Sequence, residues 1–297
     1  EIHSGDWSSD VCSSDLEDKG PLSVKKKIPA GSRASYSMSA DIGFHDSSVL
    51  VTSDVPVIAE RSQYRNNRRE GSCSIGATEP ANGFFLAEGT TAWGFSTYVL
   101  VQNPNDGPAT VDITYMTPTG PVDQAPFTMA PYSRKTVKVN EVPEVTNTDL
   151  SMRVHSDKPV IAERSMYWIG GPDSAEVCHD SIGTSSPAIS NMLPDGQTTD
   201  GWETWTLVAN PNPASVKIRV TYLPQNGGKT VSFTDEIPAN SRRTYNMAGA
   251  SGDYPGINGR ASTVVESLDW ARPILSERAM YRYNRGCGTD TIGASGD

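Results

Sequence analysis

Three kinds of segment in this chain of 297 residues carry side chains of the types that catalysis or ion binding requires. His179, Asp180 and Ser181 supply the letters of a nucleophilic triad. Asn103-Pro104-Asn105-Asp106-Gly107 offers carboxylate and amide oxygens at alternate positions, the donor set of a hard cation. Glu–Arg pairs stand at Glu60/Arg61, Glu163/Arg164 and Glu277/Arg278.

The first two lose their chemistry on inspection. Neighbouring residues of a strand point to opposite faces, so His179, Asp180 and Ser181 do not converge on one substrate, and the corresponding segments at 73–76 and 287–293 contain no histidine. The Asn-Pro-Asn loop recurs at 210–214 as Asn-Pro-Asn-Pro-Ala, without a carboxylate. A turn that exploits the backbone tolerance of Asn and Gly accounts for both copies. The Glu–Arg pairs must serve two faces of a strand, one charge enclosed and hydrogen-bonded and the other solvated. A structural part, pinning strand register or an inter-domain contact, is favoured over ligand binding. Trp93, Phe95 and Tyr98, answered by Trp202 and Trp205, offer either a sugar-stacking platform or filling for a core or a domain junction. No nucleophile, metal set or acid–base pair recurs, so the expectation is a protein that is not an enzyme and needs no cofactor or metal.

The elements that position these residues come in copies. PVIAER occurs at 56–61 and again at 159–164, with PILSER at 273–278. Upstream of each stand PAGSR (29–33), APYSR (130–134) and PANSR (238–242); downstream stand CSIG (73–76), CHDSIG (178–183) and CGTDTIG (287–293). VQNPN at 101–105 answers VANPN at 208–212. A period of roughly 100 residues is a whole domain rather than a solenoid repeat. Three cysteines, Cys73, Cys178 and Cys287, fall one to a copy and read as equivalent positions. Equivalent points on successive domains lie too far apart for a disulfide, so no intrachain bridge is expected.

Within a copy the period is two. Val111, Ile113 and Tyr115 alternate with Asp112 and Thr114, and Val216, Ile218, Val220 and Tyr222 with Lys217, Arg219 and Thr221. This is the signature of a half-buried antiparallel sheet. Further runs at 97–101, 125–129, 135–139, 150–154 and 160–167 are separated by Asn-Pro, Pro-Thr-Gly and Ser-Asp-Lys-Pro turn signals. The fold expected is all-β, a tandem of immunoglobulin/fibronectin-III-like β-sandwich domains with the first one truncated: 17–82 incomplete, 83–190 and 191–297 whole.

The formal net charge of −10 and the scarcity of basic runs, limited to 25–27 and 65–69, argue against nucleic acid as a partner. No apolar run approaches the roughly 20 residues that cross a bilayer. Residues 1–16 have a different origin: reverse-translated, 8–16 resemble an adapter used in short-read sequencing, and the segment is set aside as a non-native translation, expected to pack against nothing in particular; a buried Trp7 would contradict that origin. A native Ser/Asp linker or an acidic calcium cluster is the rival reading. Because 20–21 align with the middle of the next copy, both ends read as cut from a longer array.

The strings FFLAEGTTAWGFSTYVLVQNPN (84–105), SDKPVIAERSMYW (156–168) and HDSIGTSSPA (179–188) resemble a bacterial and archaeal family of tandem extracellular repeats of unknown function. The resemblance covers nearly all of 17–297, with LPDGQTTDGW (193–202) the main departure. It implies an extracellular or cell-surface location and brings no catalytic residues. The functional expectation is a structural stalk or spacer, against an adhesin or carbohydrate-binding module that uses exposed aromatics to hold a cell-surface glycan or protein.

Overall fold

The computed structural model describes residues 9–16, 20–172, 174–249 and 252–296. It is nearly all β, 56% strand and 6% helix, and all its strand pairings are antiparallel. The first strands are β1 (Ser9–Leu16), β2 (Gly20–Lys26) and β3 (Ser47–Val51), with a short helix α1 (Met38–Ile42) before β3. They are followed by the hairpin β4 (Glu60–Arg65) and β5 (Glu70–Ile75). β1 lies between β2 and β3. The expectation that residues 1–16 pack against nothing is therefore corrected for 9–16: β1 is the central strand of its sheet, held on both sides by backbone pairing that any non-proline residue can supply. Trp7, the ring named as a test of that expectation, lies outside the described residues.

The next unit holds β6 (Ala81–Leu86), β7 (Ser96–Asn103), β8 (Ala109–Thr117), β9 (Gly120–Asp123), β10 (Phe127–Met129), β11 (Ser133–Lys138), β12 (Ser151–Gly170) and β13 (Ala175–Ile182). One face runs β10–β8–β12–β6, with β9 also on β8, and the other runs β11–β7–β12–β13. The last unit holds β14 (Ser190–Leu193), β15 (Trp202–Asn210), β16 (Val216–Pro224), β17 (Val231–Ile237), β18 (Ser241–Asn246), β19 (Ala261–Ser267), β20 (Leu275–Arg282), β21 (Cys287–Ile292) and β22 (Ala294–Ser295). Its sheets are β17–β16–β19–β14–β22 and β18–β15–β20–β21. Strand for strand this is the order of the unit before it, with β12 doing the work of both β19 and β20.

That double duty departs from the sequence reading, which placed a turn at Ser-Asp-Lys-Pro. β12 instead runs unbroken from one sheet into the other, and its pairing with β6 shifts register between His155 and Val160. Pro159, which has no N–H, falls in that irregularity, and its carbonyl accepts from the Asn105 amide. In the last unit three extra residues before Pro273 open the same crossing into a loop.

The alternating residues define the cores. Val111, Ile113 and Tyr115 are enclosed with Val99, Val101, Met152 and Val154; Val216, Ile218, Val220 and Tyr222 are enclosed with Ile237, Tyr245 and Val265. Burying each such side chain contributes about 1.5–3 kcal/mol. The turns that deliver these strands are closed by the asparagines once considered as cation ligands. Asn103 donates to Gly107 O and Ala130 O, and Asn210 to Ala214 O and Pro238 O.

Candidate functional site

The three hairpins that contain the Glu–Arg pairs have one register: Glu60 opposes Ile75, Glu163 opposes Ile182 and Glu277 opposes Ile292. β13 packs against β5 on one side and β21 on the other. Alternation along β12 and β13 then sorts the side chains by neighbour: Glu163 and Asp180 face the preceding hairpin, Arg164 and His179 the following one.

The result is the same clasp at two junctions. Arg61 donates to both Glu163 oxygens, Nη1 to Oε2 at 2.7 Å and Nη2 to Oε1 at 2.6 Å, and also to Asp180. Arg164 Nη2 donates to Glu277 Oε2 at 3.0 Å and lies 3.0 Å from Asp290 Oδ1. Asp180 and Asp290 occupy one register position, opposite Ser165 and Ala279. A second pair repeats as well. Arg134 lies 3.8 Å from Asp46 and Arg242 lies 3.7 Å from Asp149; Arg242 also donates to Gly89 O and Leu150 O at 2.9 and 3.0 Å.

The later junction is the better enclosed, with the Arg164 and Glu277 side chains at 0% exposure. Around them Phe95, Met166, Trp168 and Val177 pack against Leu207, Ala279 and Tyr281 of the next unit, with Trp205 at the margin. Trp168 Nε1 donates to Arg285 O at 2.7 Å, and Ala87 N to Glu277 Oε1 at 2.7 Å.

Hydrogen bonds order this network. Arg164 Nη1 donates to Glu88 Oε2 at 2.9 Å and stands 3.4 Å from His179 Nδ1. A guanidinium can only donate, so Nδ1 accepts and Nε2 carries the imidazole proton. That proton faces Tyr281 Oη at 3.1 Å, and Tyr281 in turn donates to Glu88 Oε1 at 3.1 Å. Burial pushes the His179 imidazole down to about 4, against the pull of Glu88. Burial also opposes the Glu88 charge, but His179 and Arg164 overcome it and hold the carboxyl at about 2; at neutral pH, with His179 uncharged, Arg164 carries that effect. For Arg164 itself burial is outweighed by Asp290, Glu277 and Glu88, which raise the guanidinium above its ordinary value. Asp290, enclosed and beside Glu88, has its carboxyl raised well above the usual range.

Glu88, His179 and Asp290 bring ligand atoms within 4.8 Å of one another, a set with metal-binding chemistry that the sequence reading did not name. The Arg164 guanidinium already neutralises the same carboxylates, and both His179 nitrogens are engaged. A cation would have to sit against a fixed positive charge. His179, Asp180 and Ser181 are all buried, with Asp180 on the face toward the preceding hairpin and His179 and Ser181 on the opposite face.

The aromatics are separated. Phe95 is 5% exposed inside the junction, where it is closed to a sugar, and Trp205 packs beside it. Tyr98 meets Tyr167 edge to face, and Trp202 carries Arg282 over its ring. Trp93 alone of the five is fully open, 77% exposed, at φ 58°. The cysteines are corrected too: all three are free, but Cys73 opposes Ser62, Cys178 opposes Tyr167 and Cys287 opposes Arg282. They hold three different positions, and it is Cys73 that stands where the other hairpins have Asp180 and Asp290.

Residues 57–163 match a family of unknown function, DUF5719; the matched stretch runs from one PVIAER string into the next. No curated protein matches the chain. Among solved structures, Thermotoga maritima 1070 aligns at 18% identity over 36% of this chain and 96% of its own, TM-score 0.33. The Anabaena sensory rhodopsin transducer aligns at 22% identity over 29% of this chain and 97% of its own, TM-score 0.25. A tetra-tandem repeat from the extending region of a large adhesion protein aligns at 12% identity over 98% of this chain and 68% of its own, TM-score 0.16. No helix among the described residues is long and apolar enough to cross a membrane.

Proposed function

We propose that this chain is a non-enzymatic structural array, a stalk or spacer in a secreted or cell-surface bacterial protein, made of sandwich units of immunoglobulin or fibronectin type III size. One observation carries the reading: the Arg-to-Glu/Asp clasp recurs with the same register at both junctions, joining 61 to 163 and 180, then 164 to 277 and 290. An enzyme concentrates its distinctive chemistry at one place. Here the distinctive polar residues are spent on holding successive units in a fixed relation, and the junction aromatics add an apolar seal to the charges.

Small-angle scattering on the full chain tests this. A stalk behaves as one stiff particle whose maximum dimension is insensitive to temperature below unfolding, whereas freely hinged units would refute the reading. The adhesin alternative rests on the open ring of Trp93 and on Trp202. Saturable capture of a glycan by the full chain, abolished by Trp93→Ala or Trp202→Ala, would replace the stalk with a binding module.

A further inference from the structure

The end of the middle unit that receives the last one is built from Ala87, Glu88, Gly89, Met116, Asp149 and Leu150. Strand pairing identifies their counterparts one unit later. Thr90 bridges Asp149 as Gln197 bridges Arg260. Leu150 N donates to Gly89 O as Ala261 N donates to Gly196 O. Met116 opposes Ser151 as Leu223 opposes Ser262. The arginines match too, since Arg278 pairs with Asp195 at 3.7 Å as Arg164 pairs with Glu88.

What differs is cover. Met116 is 1% exposed beneath Ala209 and Leu275 of the following unit, while Leu223 is 43% exposed. Leu223 lines a hollow of about 300 Å³ with Pro194, Asp195, Arg260, Ala261 and Ser262. The hollow therefore lies at the position that, one unit earlier, the next unit fills.

We infer that this face docks a further unit of the same kind, whose hairpin brings a Glu at the position of Glu163 and Glu277 and an Asp at that of Asp180 and Asp290 to take the Arg278 guanidinium. The inference rests on the array reading and goes beyond it by specifying the partner. Two departures narrow which unit fits. Pro194 stands where Ala87 donates its N–H to Glu277, so the incoming Glu gains no backbone donor there and is held by Arg278. Arg260 stands where Asp46 and Asp149 receive Arg134 and Arg242. An arginine arriving at that point meets a like charge, so the fitting unit carries an acidic or neutral residue there.

The full chain can be extended to test this: residues 1–295 are joined to a second copy of residues 186–297, which reproduces the spacing between the existing units. The appended copy presents its own Arg242 equivalent to Arg260, so a second version carries Arg260→Asp. Hydroxyl-radical footprinting reads the Leu223 side chain of the original unit, the appended copy carrying Leu223→Ser so that a single Leu223 reports, and Arg260→Asp and Arg278→Met are placed in the original unit alone. In the Arg260→Asp fusion its oxidation is expected to fall several-fold relative to the unextended chain with the same substitution, to fall less in the unmodified fusion, and to recover when Arg278→Met is added. Undiminished oxidation of Leu223 in the Arg260→Asp fusion, or protection that ignores Arg278→Met, overturns the inference. Small-angle scattering of the same fusion covers the case in which a substitution disturbs folding: a stiff elongated particle supports docking, and a tethered, freely moving appendage overturns it. A hinged unextended chain, by contrast, would sink the array reading itself, so the two failures are told apart.

Discussion

The Arg164 guanidinium meets the Glu277 carboxylate at 3.0 Å with both side chains wholly enclosed, although 113 residues separate them in the chain. Arg61 and Glu163 form the same relationship one unit earlier, across 102 residues, with Arg61 partly open to water. The two junctions therefore share a design and differ in burial, which gives them different strengths.

Arg164→Met should cost about 3–5 kcal/mol, because it leaves Glu277 and Glu88 enclosed without their counter-charge. Arg61→Met should cost less. Denaturant unfolding of both variants checks the order, and equal losses would mean that burial does not set the strength of the clasp. A cycle combining Arg164→Met with Glu277→Gln should recover part of the loss.

The outer pairs split by surroundings. Asp46 is exposed, so Asp46→Asn should change stability by no more than about 1 kcal/mol. Arg242 also satisfies two backbone carbonyls in a buried position, and Arg242→Met should cost about 1–3 kcal/mol. Thermal unfolding of the two proteins separates these expectations.

His179 sets a pH dependence. Its imidazole sits at about 4 in the folded chain against an ordinary 6.5, so the unfolded chain takes up the proton first. Stability is full above about pH 6.5 and falls as pH drops toward 4, by about 1.4 kcal/mol per unit. Glu88, at about 2 against 4.5, extends the loss below pH 4.5; Asp290, shifted the other way, works against it. His179→Gln should flatten the profile between pH 6.5 and 4, and an unchanged slope would assign the titration elsewhere.

Thiol labelling should distinguish the cysteines. Cys178 is buried, and burial pushes its thiol up to about 11. Cys73 is exposed, with its thiol raised first by the hydrogen bond to Glu60. At pH 8, peptide-resolved mass spectrometry should find Cys73 modified well before Cys178; the reverse order would contradict the hairpin packing.

The strands were readable because alternation is local: Val216, Ile218, Val220 and Tyr222 announce their own face. The Glu–Arg strings were visible as repeats, but their partners were not, since Arg164 reaches Glu277 only through the stacking of whole hairpins. Glu88 was visible only as one letter of the FFLAEGTTAWGF string, and nothing in that string marked its role, because its partners stand 76 and 193 residues away. The cysteines misled because a shared letter beside a shared IG string concealed different distances from the turn. The unbroken β12 was hidden by a proline that normally ends a strand but here falls where the register shifts.

Each clasp also has a direction, with the donor on the earlier unit and the acceptors on the later. During synthesis on the ribosome Arg164 emerges more than a hundred residues before Glu277 and Asp290, so a nascent middle unit exposes its guanidinium and half of the Phe95–Trp168 surface to water until its successor arrives. Domains fold largely in the order in which they are made. At each of the two junctions the earlier unit is thus finished by the one that follows it, which closes the surface its predecessor left open.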